Sequence, residues 1–180
     1  MALWANTWEE TPTPHMASFE HLFSSEYARV VAVAARVLGD PHEAEDVAQD
    51  VFCQFYRTHS PDAPFAGPWL YRAAAHTALN RLRGQRRRVG RESRDAVERD
   101  RFQGPGQDPQ EALEQKEQRL EIQRALAQLP QKSAAVLALR YSGLSYAEVA
   151  SALGVGIGQV GTLLRRAEKA LHKEMTRGTH

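Results

Sequence analysis

Apolar residues recur at spacings of three and four along most of this chain, and no stretch shows the alternation of a strand. The pattern predicts a helix over residues 19–38, with Ser18 as its N-cap. Gly39-Asp40-Pro41 is a stop and a start together. A glycine follows one helix, an aspartate caps the next, and a proline stands in its first turn. A second helix runs to about Arg57, a proline-rich loop covers 60–68, and a third helix runs from Trp69 to about Arg88. Residues 89–110 are polar, contain Gly104-Pro105-Gly106 and read as a linker. Helical spacing returns over 111–128 through Leu113, Leu120, Ile122 and Leu126, and Pro130 separates that helix from another over 131–141.

The next segment carries the most specific local signal. Ser145 and Glu148 form an S-x-x-E capping box, in which hydroxyl and carboxylate each satisfy a backbone N–H at a helix start. The helix over 146–153 is short, and Gly154 ends it in the left-handed conformation that glycine adopts cheaply. A longer amphipathic helix follows from about Ile157, carrying Arg165, Arg166, Lys169 and Lys173. Short helix, glycine turn and longer basic helix form the arrangement that lays a recognition helix in a DNA groove. The expected fold is therefore all-α, with two small helical domains on a flexible tether.

Two further helical faces stand out when plotted at 100° per residue. In the second helix Ala44, Val47, Ala48, Val51, Phe52 and Phe55 share one side, and Asp46, Gln49, Asp50, Cys53 and Arg57 share the other. In the third, Arg72, His76, Asn80, Arg83 and Arg87 make one polar, basic stripe with Trp69 at its edge. Such a stripe beside an aromatic ring suits a phosphate backbone with a base stacked or extruded nearby.

Charge sharpens this division. The 180 residues carry a net charge of +1, but residues 1–68 hold 3 basic against 10 acidic side chains, and 69–101 hold 10 against 4. An acidic block followed by a basic one points to two partners, one of them a polyanion. Arginine supplies 19 of the 23 basic residues, which favours bidentate phosphate recognition. The single Cys53 rules out an internal disulfide and fits a reducing compartment. No apolar run approaches a membrane span, and no basic residue precedes Arg29, so a signal peptide is not expected. These features suggest a soluble, cytoplasmic protein without membrane insertion.

In this order the segments resemble the extracytoplasmic-function (ECF) group of bacterial sigma factors, the promoter-recognition subunits of RNA polymerase. The segment AEDVAQDVFCQFYR (44–57) resembles the family's core-binding helix. PWLYRAAAHTALNRLRGQRRR (68–88) resembles its −10 melting and recognition segment, and the helix-turn-helix resembles its −35-reading domain. The resemblance implies region 2 over 18–88, a linker over 89–110, region 4 over 111–180 and a flexible tail over 1–17. By the same resemblance Asp46, Gln49 and Asp50 dock on the clamp helices of the polymerase β′ subunit. Arg72, His76, Asn80, Arg83 and Arg87 engage the −10 element, and the loop over 60–67 receives a flipped base. Gln159, Thr162, Arg165 and Arg166 face the −35 duplex. Core RNA polymerase and promoter DNA are then the partners, and an anti-sigma protein is a third that the family allows. No catalysis, cofactor or metal is expected.

The chain departs from the family pattern in places. Asparagine and aspartate usually stand where it has His76 and Asn80. The recognition helix usually reads like T-V-K-S-R-L, whereas residues 159–164 are QVGTLL, so Gly161 and Leu163 replace two cations. Each lost phosphate contact lowers the salt slope of DNA binding by roughly one, so weaker or altered −35 recognition is expected. Gly158 and Gly161 also cost up to about 1 kcal/mol each within a helix.

Other motifs carry less. Gly156 to Gly161 formally matches GxGxxG, but that fingerprint requires a preceding strand, and here the preceding segment is helical. His42-Glu43 lacks the second histidine of a zinc-protease helix, and no Cys/His pair has ligand spacing. The rival readings are a stand-alone dimeric helix-turn-helix regulator, which leaves the acidic helix unexplained, and an adaptor, which leaves the basic stripe idle.

Overall fold

The structure, a computed structural model, describes residues 14–92 and 109–177. Seven helices occupy the described residues, with no strand among them: α1 (Pro14–Leu38), α2 (Pro41–Thr58), α3 (Ala66–Glu92), α4 (Pro109–Gln128), α5 (Gln131–Tyr141), α6 (Tyr146–Leu153) and α7 (Ile157–Arg177). The first three form one helical unit and the last four a second.

In the first unit α2 lies against both α1 and α3. Its buried residues are Ala44, Val47, Ala48, Val51, Phe52 and Phe55, the face that the helical plot separates from its acids. The Asp40 carboxylate accepts hydrogen bonds from the backbone N–H groups of His42 (2.8 Å) and Glu43 (3.1 Å), as an N-cap should. Gly39 ends α1 at φ +67°. Rings of α1 pack on α2: Phe23 lies 4.8 Å from Phe52, and Phe19 lies 4.8 Å from Tyr56. These contacts, with His15 edge-on to Tyr56 at 5.5 Å, accompany a start for α1 at Pro14. Ser18 therefore sits inside the helix and is not its N-cap, a correction to the sequence-based expectation. Proline needs no N–H partner in a first turn, so it opens the helix without cost.

The third helix also starts earlier than the pattern predicts, at Ala66, which is buried. It continues to Glu92, into the stretch read as linker. Residues 93–108 of that stretch and residues 1–13 of the expected tail lie outside the described residues.

In the second unit the capping box is present in both directions. Ser145 Oγ accepts from the Glu148 N–H (3.2 Å), and the Glu148 carboxylate accepts from the Ser145 N–H (2.8 Å). Gly154 closes α6 at φ +64°. Residues 134–139 of α5 are all buried, so the middle of this helix is enclosed on every side. By contrast, only the end of α4 enters the core. Leu126 and Leu129 are buried, while Leu113 and Ile122 stay exposed.

The two units are docked. One continuous core cluster runs from Val30 through Phe55, Leu70 and Leu79 to Leu139, Val149 and Val160. Helix α3 packs on α5 and α6, and α1 packs on α5. Alanines at 74, 75 and 78 of α3 and at 134, 135 and 138 of α5 are all buried, and side chains this small let helices approach closely.

The two faces of α2 should respond differently to truncation. Phe55→Ala leaves a cavity in the core and should cost about 3–5 kcal/mol in urea unfolding. Asp46→Ala on the exposed face should stay within about 0.5 kcal/mol of the parent.

Candidate nucleic-acid interface

The basic stripe of α3 divides in the folded chain. Arg72, Asn80 and Arg87 are exposed, as the periodicity predicts. His76 and Arg83 lie half-buried, and Arg83 faces the second unit. Arg83 has partners there: Nη2 donates to the Leu129 carbonyl (2.7 Å), Nε to the Ala127 carbonyl (3.2 Å) and Nη1 to the Gln131 side chain. These carbonyls belong to the end of α4, where Pro130 breaks the chain and leaves them without helical donors.

At the first turns of α3 an aromatic group surrounds His59. Its ring stacks on Phe55 at 5.2 Å and lies 5.0 Å from Trp69 and 5.4 Å from Phe65. The Thr58 hydroxyl, 2.6 Å from Nδ1, orients it. Phe65 is 47% exposed, which leaves an open ring one turn before Trp69, the residue at the stripe's edge. Trp69 was legible as the aromatic at the stripe's edge. His59 and Phe65 were not, because they fall in a loop without periodicity.

The expected contact residues of the helix-turn-helix are all exposed: Gln159 and Thr162 near the start of α7, Arg165 and Arg166 one turn on. The Gln159 side chain accepts from the Gly156 N–H (3.3 Å). Beside them Tyr146 stands under the Arg140 guanidinium (5.5 Å to the ring centroid), and a Cβ at Gly161 would lie 3.7 Å from its ring. The structure thus leaves room for a side chain at 161. On α2, Asp46, Gln49 and Asp50 are exposed together, with Asp50 paired to Arg81 of α3. Cys53 is exposed on the same helix. Among the described residues no group of three His, Cys, Asp or Glu side chains could hold a metal, and no single helix is long and apolar enough to cross a membrane.

The electrostatics of the stripe show where it is covered. Burial pushes the His76 imidazole below its ordinary value, and the positive charges of Arg72 and Arg83 push it further. The folded chain therefore resists protonating His76 while the unfolded chain accepts a proton near pH 6.5. Stability should fall as pH drops through about 6.5, and His76→Gln should flatten that part of the curve. Urea titrations of both proteins between about pH 5 and 8 check this, and an unchanged slope would refute it.

Comparison with known proteins bears on both units. Residues 22–88 match the sigma-70 region 2 family, and residues 119–171 match sigma-70 region 4. The chain is 33% identical over 161 residues to the ECF RNA polymerase sigma factor SigE of Mycolicibacterium smegmatis. That alignment covers 87% of this chain and 61% of the relative's length. It is 31% identical over 142 residues to the ECF RNA polymerase sigma-E factor of Escherichia coli K12, covering 74% of each. Two solved structures share the fold. One is the sigma factor RpoE of Bartonella quintana in complex with the anti-sigma factor NepR, with a TM-score of 0.50 and 19% identity, covering 88% of this chain and 96% of that one. The other is CnrH in complex with the cytosolic domain of CnrY, with a TM-score of 0.51 and 22% identity, covering 88% of each chain. A region 2 match on the unit bearing the acidic and basic faces, a region 4 match on the unit bearing the helix-turn-helix, and similarity across most of the chain agree: this protein belongs to the ECF family of RNA polymerase sigma factors.

Proposed function

We infer that the chain is an alternative sigma factor, which directs core RNA polymerase to specific promoters and starts transcription there. The observation that carries this reading is the order of surfaces along one chain. An exposed acidic face on α2, a basic stripe on α3 and a capped helix-turn-helix fall in sequence within the region 2 and region 4 matches. Residues 18–88 then act as region 2 and 111–180 as region 4, with 89–110 connecting them and 1–17 as a tail.

The roles divide accordingly. Asp46, Gln49 and Asp50 dock on the β′ clamp helices of the polymerase. Arg72, His76, Asn80, Arg83 and Arg87 hold the −10 element, and the loop over 60–67 takes an extruded base against the ring group around His59. Gln159, Thr162, Arg165 and Arg166 meet the −35 duplex. The chain works without catalysis of its own, in the cytoplasm. The complex of one structural neighbour with an anti-sigma factor supports a partner of that type here. A stand-alone dimeric regulator would give the acidic face of α2 no task.

Co-elution with bacterial core RNA polymerase tests the central claim. The native chain should co-elute, and Asp46→Ala/Asp50→Ala should lose most of that association while keeping its helix content. No co-elution by the native chain would refute the reading. The recognition helix supplies a second test. Gly161→Lys restores a cation where the structure has room, so duplex binding should strengthen and its salt slope steepen by about one. Transcription should tolerate −35 substitutions better than −10 substitutions. Equal losses would show that the −35 contacts of this chain are not reduced.

A further inference from the structure

Helix α2 ends in a short chain of hydrogen bonds that fixes the state of one imidazole. The Thr58 hydroxyl lies 2.8 Å from the Gln54 carbonyl and 2.6 Å from His59 Nδ1. A hydroxyl has one proton to give. Turned toward Nδ1, it would leave two oxygens 2.8 Å apart with no hydrogen between them. The proton therefore goes to the Gln54 carbonyl, and Thr58 Oγ1 accepts from Nδ1–H. A neutral histidine protonated at Nδ1 has an acceptor at Nε2. Among the described residues Nε2 has no protein partner, and it is not sealed from water, because no buried side-chain nitrogen or oxygen is left without one.

That acceptor is held in place. The imidazole lies on Phe55 with 12° between the rings, Phe65 meets it at 81° and Trp69 at 53°. The His59 backbone N–H donates to the Phe55 carbonyl (2.8 Å). The loop that follows is poor in donors. Pro61 and Pro64 have no N–H, and the N–H groups of Ala63 and Ala66 are spent on the carbonyls of Ser60 (3.1 Å) and Ala63 (2.9 Å). Arg72, three residues after Trp69, is exposed and suits a phosphate. An open ring at Phe65, a fixed acceptor and a cation thus meet where α2, the loop and α3 come together.

We propose that His59 is a specificity-determining residue: Nε2 accepts a hydrogen bond from the exocyclic amine of the extruded base, which favours adenine or cytosine over guanine or thymine. The proposal rests on reading the loop over 60–67 as the pocket for that base, and it names what the pocket selects. Sugar and phosphate stay outside, so the corner of the base far from the sugar enters first. That corner carries an amine in adenine and cytosine and a carbonyl in guanine and thymine. A carbonyl would set two acceptors against each other, and the loop has few donors to offer it instead. Phe65 supplies the ring on which the base stacks. Thr58 is a positioning residue that keeps the proton on Nδ1.

The test uses the full chain assembled with core RNA polymerase and a pool of single strands of randomised sequence. Sequencing of the bound strands should show one position enriched in adenine or cytosine by roughly fivefold, the worth of one hydrogen bond. A base analogue without the exocyclic amine at that position should lose about the same factor. His59→Phe keeps a ring on Phe55 and removes the acceptor, so it should lose the preference, and the analogue should cost it nothing further. Thr58→Val lets the proton sit on either nitrogen and should shrink the preference. His59→Gln offers donor and acceptor alike, and it should even out the four bases where a phenylalanine at 59 disturbs the fold. Circular dichroism reads helix content for each variant. A merely structural histidine would weaken all four bases alike on substitution, and that uniform loss would overturn the proposal. So would a native preference for guanine or thymine, no enrichment at any position, or native selectivity in His59→Phe. Failure to co-elute with core polymerase would overturn this proposal together with the sigma-factor reading, whereas wrong selection by a chain that co-elutes overturns the proposal alone.

Discussion

The hold that Arg83 takes on the end of α4 is the interaction on which the arrangement of this chain depends. Pro130 stops α4 and leaves the Ala127 and Leu129 carbonyls without helical partners, and one guanidinium from α3 satisfies both. A buried or half-buried carbonyl left without a donor costs about 1–3 kcal/mol, so the break between α4 and α5 can face the first unit only if a donor comes with it. Arginine suits this position because its fork reaches two acceptors and keeps its charge beside the helix terminus. Arg36, Arg119 and Gln123 repeat the solution at two other helix ends. Among the described residues, no buried side-chain polar atom is left without a partner.

The same constraint bears on the basic stripe of α3. A side chain suited to phosphate is also suited to helix carbonyls, since both present partially or fully negative oxygens. Arg83 can therefore serve either, but not both together. In the stripe on α3 Arg83 already has an internal partner, while Arg72, Asn80 and Arg87 stay exposed. The helix-turn-helix unit needs no such compromise. Its capping box and the left-handed Gly154 fix the angle between α6 and α7 locally, and Gln159, Thr162, Arg165 and Arg166 remain on the outer face.

Much of the fold, and the surfaces that make up the candidate site, follow from the sequence itself. The buried face of α2 coincides with the helical plot because an amphipathic helix has one apolar side and the core takes it. The limits of α6 and the start of α7 follow from Ser145, Glu148 and Gly154, whose effects are confined to a few neighbouring residues. Where the reading missed, long-range contact decided. Helix α1 starts at Pro14, with the His15 and Phe19 rings resting on Tyr56, a residue of another helix. Helix α3 starts at Ala66, with Ala66 itself buried. Leu113 and Ile122 keep helical spacing, yet both stay exposed. His59 joins Phe55, Phe65 and Trp69 only because the loop folds back over α2.

The amino-acid sequence alone therefore determined what depends on near neighbours: seven helical segments, their caps and breaks, an acidic face, a basic stripe and a helix-turn-helix with the order of an ECF sigma factor. Tertiary structure decided which members of those surfaces are available. Arg29 and Glu148 stand 119 residues apart, and Arg83 and Leu129 stand 46 apart. Periodicity relates only residues on one helix, and it is silent about which helix end a guanidinium will meet across a core. Docking of the two units is set by matching apolar faces and unsatisfied carbonyls in three dimensions. That matching divides the stripe of α3: Arg72, Asn80 and Arg87 stay exposed, and Arg83 is drawn onto the end of α4.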